Sequence, residues 1–215
     1  NETWPTLAVG NYIDQYQDGA PFGTCLAHQL FRPNGDTFEV QSLTPAYCAL
    51  SMLFTDWDRS SAPSLRISND RQYYLTNQDR TGSEQLFYFD GQTYVPYDEG
   101  WHSLQIWGMG IASAELTGDS YPEYVLTSMS DTKLRTLADT EHPLPMYQDA
   151  AFTRGVTAHI AYTGDTGKPS TGWHAEFDDL NNDSLPDLFI AKGNVAAMPD
   201  FALDAPNNLL LQQQD

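Results

Sequence analysis

The chain has 215 residues and a mass of 24.0 kDa, and its 29 acidic against 10 basic side chains give a formal net charge of −19. This acidity argues against binding to nucleic acids or to anionic membrane surfaces, because affinity for both depends on Lys and Arg. Hydrophobic residues make up 40% of the chain, which is enough for a folded core, and no apolar run is long enough to predict a membrane span.

The chain opens on a pattern that returns three times. In each copy a polar segment with Pro immediately before its last residue is followed by a short apolar run. The first copy is Asn1–Thr6, which is followed by Leu7–Val9. The other three segments are Asp56–Ser64, Glu115–Glu123 and Asp179–Asp187. The last residues of the four segments, Thr6, Ser64, Glu123 and Asp187, are spaced by 58, 59 and 64 positions. Such a period is typical of a repeat protein. We number the positions of each complete segment 1 to 9.

Short apolar or small stretches precede the three complete segments and predict strands at 49–54, 108–113 and 172–177. Asn-Gly and Asp-Gly pairs predict hairpins within 29–38 and 86–94. No long stretch has the helical period. About four short antiparallel strands per 60 residues predict an all-β chain of β-propeller blades. The expected units are 1–47, 48–106, 107–170 and 171–215, which is about three and a half blades, or a partial propeller.

Two cysteines, Cys25 and Cys48, lie 23 positions apart without a zinc-type CxxC pair. We predict a disulfide, and the alternative is two independent buried thiols. Few lysines, many aromatic residues and a strongly acidic composition are consistent with an extracellular or periplasmic protein.

The last repeat carries a resemblance to a known family. Its segment Asp179–Asn194, with Asn207–Leu211 after it, is similar to FG-GAP/VCBS repeats, and it most resembles those of the cartilage-acidic-protein (ASPIC/UnbV) type. The segment Thr6–Tyr12 resembles the same part of such a repeat. The family in turn distantly resembles the integrin α-subunit head.

The resemblance implies a seven-bladed propeller with calcium in the loops between the first two strands of some blades. Since about three and a half repeats are present, we expect either a piece of a longer protein or one partner in an assembly that completes the ring. The alternative is a compact, incomplete fan that is capped by its own ends.

Oxygen atoms at alternate positions of a tight loop are the ligands that Ca²⁺ prefers. The candidate ligands in the last loop are the side chains of Asp179, Asn181, Asp183 and Asp187 and the backbone carbonyl of Leu185. In the third loop they are Glu115, Thr117, Asp119, Tyr121 and Glu123. In the second loop they are Asp56, Asp58 and Ser60, where the lower charge predicts weaker binding. The first segment keeps Glu2 and Thr6 alone.

The family has glycine at position 6, and this chain has Thr3, Ser61, Ser120 and Ser184 there. If position 6 requires a positive φ, each of these residues costs about 1 kcal/mol. The alternative interpretation is that the loops are polar turns without metal.

Two classes of function remain open. The first is a secreted, non-catalytic calcium-binding propeller that engages a protein or a glycan in adhesion, with Trp4, Trp57, Trp101, Trp107 and Trp173 on its faces. The second is a polysaccharide lyase or hydrolase that uses channel carboxylates such as Glu176 and Asp178.

Overall fold

The computed structural model describes residues 4–14, 24–70, 83–129, 131–157, 168–194 and 202–213. All regular structure in these ranges is β, so the prediction of an all-β chain is confirmed. The strands are β1 (Leu7–Val9), β2 (Ile13–Asp14), β3 (Thr24–Cys25), β4 (His28–Asn34), β5 (Thr37–Leu43), β6 (Ala49–Thr55), β7 (Ser64–Asn69), β8 (Gln85–Phe89), β9 (Tyr94–Pro96), β10 (Gly108–Ala114), β11 (Glu123–Ser128), β12 (Thr132–Leu137), β13 (Tyr147–Asp149), β14 (Gly172–Asp178), β15 (Asp187–Lys192) and β16 (Asn208–Leu210).

These strands form four larger antiparallel sheets and a two-stranded ribbon, β2–β3. We name the larger sheets in chain order: the first sheet is β1-β4-β5, the second is β6-β7-β8-β9, the third is β10-β11-β12-β13 and the fourth is β14-β15-β16. No closed sheet occurs among the described residues. The structure describes no helix that is long and apolar enough to cross a membrane.

The three complete polar segments lie where the sequence predicts them, between two adjacent antiparallel strands. They connect β6 to β7, β10 to β11 and β14 to β15, and position 9 of each segment is the first residue of the second strand. The predicted hairpins are also present, as β4–β5 around Gly35 and as β8–β9 around Gly91. Gly35 has a φ of 61°, which explains why a glycine follows Asn34.

The sheets pack against each other in chain order through buried apolar faces. Leu30 and Leu43 of the first sheet pack against Ile67 of the second, and Val125 of the third packs against Ile190 of the fourth. Each interior sheet therefore has one face toward the preceding sheet and one toward the following sheet. Strand β10 also contacts β6 and β14, so the opening strands of three successive sheets lie side by side.

The interface between the second and third sheets contains a buried arginine. Arg66 is 2% exposed, and its guanidinium lies 4.0 Å from the ring centre of Tyr124 and 4.8 Å from that of Tyr147. Glu84 is buried beside it and accepts hydrogen bonds from the Leu104 N–H at 3.1 Å and from the Tyr124 hydroxyl at 3.5 Å. Burial raises the pKa of Glu84 to about 7, although the charge of Arg66 opposes this shift.

The predicted disulfide is present and the alternative of two free thiols is wrong. Cys25 ends β3, Cys48 immediately precedes β6, and their Cα atoms are 4.8 Å apart. The bond therefore links the β2–β3 ribbon to the start of the second sheet. A disulfide of this kind indicates an environment other than the reducing cytosol.

Candidate functional site

The last loop is held in shape by its own carboxylates. Asp179 accepts the backbone N–H of Asp183 on one oxygen and that of Ser184 on the other, each at 2.9 Å. Asp183 in turn accepts the N–H of Leu185 at 2.9 Å. The amide of Asn181 donates to the second carboxylate oxygen of Asp183 at 2.9 Å. Positions 1, 3 and 5 are thus fixed around one tight turn.

Position 9 of the same loop is its anchor in the fold. Asp187 is fully buried, and its carboxylate accepts the N–H of Leu180 at 3.1 Å and the N–H of Gln212 at 2.9 Å. Gln212 follows β16, so this carboxylate ties the loop to the third strand of the fourth sheet. The Asp at this position therefore has a structural role whether or not a metal is present.

The third loop repeats this arrangement with longer side chains. Glu123 at position 9 is buried and accepts the N–H of Leu116 at 2.8 Å, as Asp187 does for Leu180. Burial raises the pKa of Glu123, and the nearby carboxylates add to that shift. At position 1, Glu115 reaches the N–H of Gly118 at 2.6 Å instead of the amides of positions 5 and 6. The extra methylene therefore changes the hydrogen bonding inside this loop.

The second loop keeps the backbone geometry with fewer charges. Both carboxylate oxygens of Asp56 lie 3.1 Å from the N–H of Ser61, which matches the contact of Asp179 with Ser184. Ser60 accepts the N–H of Ala62 at 3.3 Å. At position 9 the carboxylate is replaced by the hydroxyl of Ser64, which accepts the indole N–H of Trp57 at 3.2 Å.

Position 6 has a positive φ in all three complete loops: 65° at Ser61, 72° at Ser120 and 70° at Ser184. Position 6 therefore does require a positive φ in these loops, and each serine occupies a conformation that glycine adopts more readily. Position 4 is also left-handed, at Arg59, Gly118 and Asn182, which the sequence reasoning missed. Gly118 and Asn182 were the available signal, since Gly and Asn tolerate this region best. Thr3 of the first segment, with Glu2, lies outside the described residues.

The candidate metal ligands fit a hard cation in kind, because they are all oxygen atoms on one turn. In the part of the chain that the structure describes, no three His, Cys, Asp or Glu side chains converge closely enough to hold a metal ion. The carboxylates of the three loops instead mainly accept backbone N–H groups. Each carboxylate oxygen carries a second lone pair, so these hydrogen bonds do not use up its capacity to bind a cation.

A groove of about 350 Å³ lies beside the second loop and combines aromatic rings with carboxylates. Its walls include Tyr88 and Tyr97, whose ring centres are 5.3 Å apart, and Asp58, Asp98 and Glu99 contribute the acidic groups. Burial raises the pKa of Tyr97, and the charges of Asp58 and Glu99 raise it further. Tyr88 lies on β8, and Tyr97 follows β9 of the same hairpin. Sequence reasoning missed this groove because it does not show which side chains of separate strands meet.

The tryptophans are distributed differently from the expectation. Trp57 is 1% exposed and packs edge-on against Tyr97 and Tyr147, so its proposed place on a binding face is wrong. Trp4 and Trp173 are exposed. An indole in a polar turn predicts a surface residue, whereas Trp57 packs in the core beneath the turn.

The acidic pair suggested for catalysis lies on the exposed part of β14. Glu176 and Asp178 are both exposed, and Glu176 forms an ion-pair contact of 3.7 Å with the exposed His174. Asp178 accepts the N–H of Asp179 at 2.8 Å. Both carboxylates are open to solvent and lie outside the groove beside the second loop, so the described geometry gives no specific support to an acid-base pair.

No family model matches the chain, and no curated protein matches it.

Proposed function

We propose that this chain is a non-catalytic binding module of the β-propeller type, built from FG-GAP/VCBS-like repeats and working outside the cytosol. The observation that carries the proposal is one loop geometry that recurs in three successive sheets, each time between the first and the second strand of the sheet. The left-handed residues at positions 4 and 6 recur in each loop, and so does the contact from position 5 to the N–H of position 7. A rigid row of sheets with exposed loops suits recognition.

The proposed ligand is a glycan, and the proposed binding site is the groove beside the second loop. Tyrosine rings offer flat apolar surfaces to the faces of sugar rings, and carboxylates accept hydrogen bonds from sugar hydroxyls. Tyr88, Tyr97, Asp98 and Glu99 supply both kinds of group in one groove. Because the groove and the whole chain are acidic, we expect neutral glycans to bind better than anionic ones.

The binding proposal is tested with immobilised neutral and acidic polysaccharides. Retention of the wild type on a neutral glycan, lost in Tyr88→Ala and kept in the control Phe152→Ala, supports the proposal. Phe152 is 86% exposed and lies outside the groove, so it controls for the loss of an exposed aromatic ring. Release of shortened or unsaturated products would instead support the polysaccharide-degrading alternative, and failure to retain any glycan would contradict the glycan proposal.

We also propose that Ca²⁺ binds in the last loop, where Asp179, Asn181, Asp183, Asp187 and the carbonyl of Leu185 supply oxygen atoms. The cation would balance three carboxylates that lie within nine positions of one another. The backbone hydrogen bonds of Asp179 and Asp187 hold the turn in one shape. This arrangement lowers the entropic cost of ordering the loop around a cation.

Thermal melting in chelator and in millimolar Ca²⁺ tests the metal proposal. We expect Ca²⁺ to raise the melting temperature, since a ligand at 100 times its dissociation constant adds about 2.7 kcal/mol to stability. Asp183→Asn should abolish the shift, and the control Asp58→Asn, which makes the same chemical change at position 3 of the less charged second loop, should retain it. Equal melting temperatures with and without Ca²⁺ would contradict the proposal.

A further inference from the structure

The faces that join successive sheets follow one rule along the chain. Counted from position 9 of each loop, the first and third following residues point toward the preceding sheet, and the second points toward the following sheet. Val125, at the second place in the third sheet, packs toward the fourth sheet, and Tyr124 and Leu126 on either side pack toward the second sheet. Strand pairing keeps this alternation fixed, because adjacent residues of a strand point to opposite faces.

The residues that point toward the preceding sheet are buried wherever the structure describes that sheet. In the second, third and fourth sheets these residues are 0 to 3% exposed, and they are Leu65, Ile67, Tyr124, Leu126, Leu188 and Ile190. The equivalent residues of the first sheet are Leu7, which is 47% exposed, and Val9, which is 39% exposed. Leu7 on β1 is paired with Phe31 on β4, and Phe31 is paired in turn with Val40 on β5, which is also exposed. We call this surface the leading face.

Among the described residues, the fourth sheet exposes part of its opposite surface, where Phe189 is half-buried and Leu209 is exposed. Phe189, at the second place after position 9, points away from the third sheet and pairs across β15–β16 with Leu209, which is 54% exposed. Its equivalents in the second and third sheets, Arg66 and Val125, are buried against the sheet that follows. We call the surface around Phe189 and Leu209 the trailing face.

We propose that the trailing face of one chain packs on the leading face of a second copy. The argument is continuity with the established interfaces, because the chain packs a trailing face on a leading face three times in succession. One copy carries both uncovered faces, so two copies joined head to tail through two equivalent contacts form a closed ring of eight sheets. Eight lies within the range of four to eight blades that is typical of propellers. The proposal rests on this packing and not on Ca²⁺ or glycan binding.

The mass of the purified chain in solution, measured by light scattering at micromolar concentrations, tests the proposal. We expect twice the 24.0 kDa of one chain. Leu7→Glu, on the leading face, and Leu209→Glu, on the trailing face, should each weaken association about tenfold or more. The control Phe152→Glu alters a more exposed apolar side chain outside both faces and should leave the mass unchanged. Circular dichroism of each variant verifies that the sheets remain folded.

Mixing the two association-weakened variants distinguishes this geometry from other dimers. An equimolar mixture of the Leu7→Glu and Leu209→Glu chains contains one intact leading face and one intact trailing face, so a mixed dimer should partly reform. A dimer in which two leading faces meet would not respond to Leu209→Glu. That result, or a wild-type chain that stays monomeric, would overturn the proposal without affecting the glycan-binding test.

Discussion

At the scale of single residues, three serines occupy conformations that favour glycine. Ser61, Ser120 and Ser184 have φ between 65° and 72° at the same position of three loops. The carboxylate at position 1 holds that position directly in two of these loops, through the N–H of Ser61 and of Ser184. Local strain is therefore offset by a hydrogen bond at a charged group.

Replacing Ser184 by glycine should stabilise the chain by about 1 kcal/mol, because glycine adopts a positive φ without the steric cost of a Cβ atom. The measurement is the free energy of unfolding in urea. Ser184→Ala keeps the Cβ atom and should give no such gain. A glycine variant that is less stable than wild type would show that the serine hydroxyl contributes more than the strain costs.

Glu84 should make stability depend on pH. Its pKa is about 7 in the folded chain against an ordinary 4.5, so the folded chain holds a proton that the unfolded chain releases between these values. The contribution of Glu84 to the free energy of unfolding is therefore fully present below pH 4.5. It is lost as the pH rises through 7, and the loss amounts to about 3 kcal/mol at most. Asp70, whose pKa burial raises to about 6, acts in the same direction.

The variant Glu84→Gln isolates the contribution of this one side chain. Gln keeps an oxygen acceptor for the Leu104 N–H and cannot ionise. Urea unfolding at pH 5 and at pH 8 should show a smaller loss of stability in the variant than in the wild type. An equal loss would mean that Arg66 keeps Glu84 ionised at both pH values.

At the scale of the strand, the small residues of β10 allow neighbouring sheets to approach closely. A Cβ atom on Gly110 would lie 2.7 Å from the backbone carbonyl of Trp173 and 3.0 Å from the Cα of His174, both on β14. The sequence predicted the three opening strands from their small and apolar residues. It did not predict this contact, because spacing along one strand contains no information about the backbone of another.

Gly110→Ala should therefore destabilise the chain by about 1 to 3 kcal/mol, since β10 and β14 must move apart to admit the methyl group. The comparison is Gly35→Ala in the β4–β5 turn, where nothing lies within 4 Å of the added atom and φ alone opposes it at about 1 kcal/mol. Urea unfolding measures both. A smaller effect at Gly110 than at Gly35 would contradict the close packing of the two strands.

The loops show how far sequence reasoning extends. The sequence could predict where the loops lie, that each connects adjacent strands, and that a positive φ at position 6 would be costly for serine. All three depend on local turn geometry. The burial of Trp57 and the groove around Tyr88 and Tyr97 could not, because both depend on how side chains from separate strands meet. Metal binding and the family resemblance stay predictions.

In the molecule as a whole, one disulfide cross-links the β2–β3 ribbon to the start of the second sheet. The Cys25–Cys48 disulfide encloses the β4–β5 hairpin of the first sheet, so it closes a loop that includes most of that sheet. Contacts between different sheets otherwise rest on side-chain packing and hydrogen bonds. We expect the first sheet to depend on this bond more than the other sheets do.

Replacing both cysteines by serine should lower the free energy of unfolding by about 3 kcal/mol, because the unfolded chain regains the freedom of a loop of 23 residues. Urea unfolding of wild type with and without a reducing agent should show the same difference, and the reducing agent should not affect the double variant. Identical unfolding curves for oxidised and reduced wild type would contradict this expectation.

The buried arginine has a consequence for the order of the sheets. Apolar faces of similar size are interchangeable, so a chain of repeated sheets can pair neighbours that are distant in sequence and misfold. Arg66 makes one of these faces cationic, and a partner that lacks tyrosine rings such as those of Tyr124 and Tyr147 would bury this charge without its cation–π contacts. The pairing of the second sheet with the third is therefore specific, and a misordered arrangement is penalised during folding.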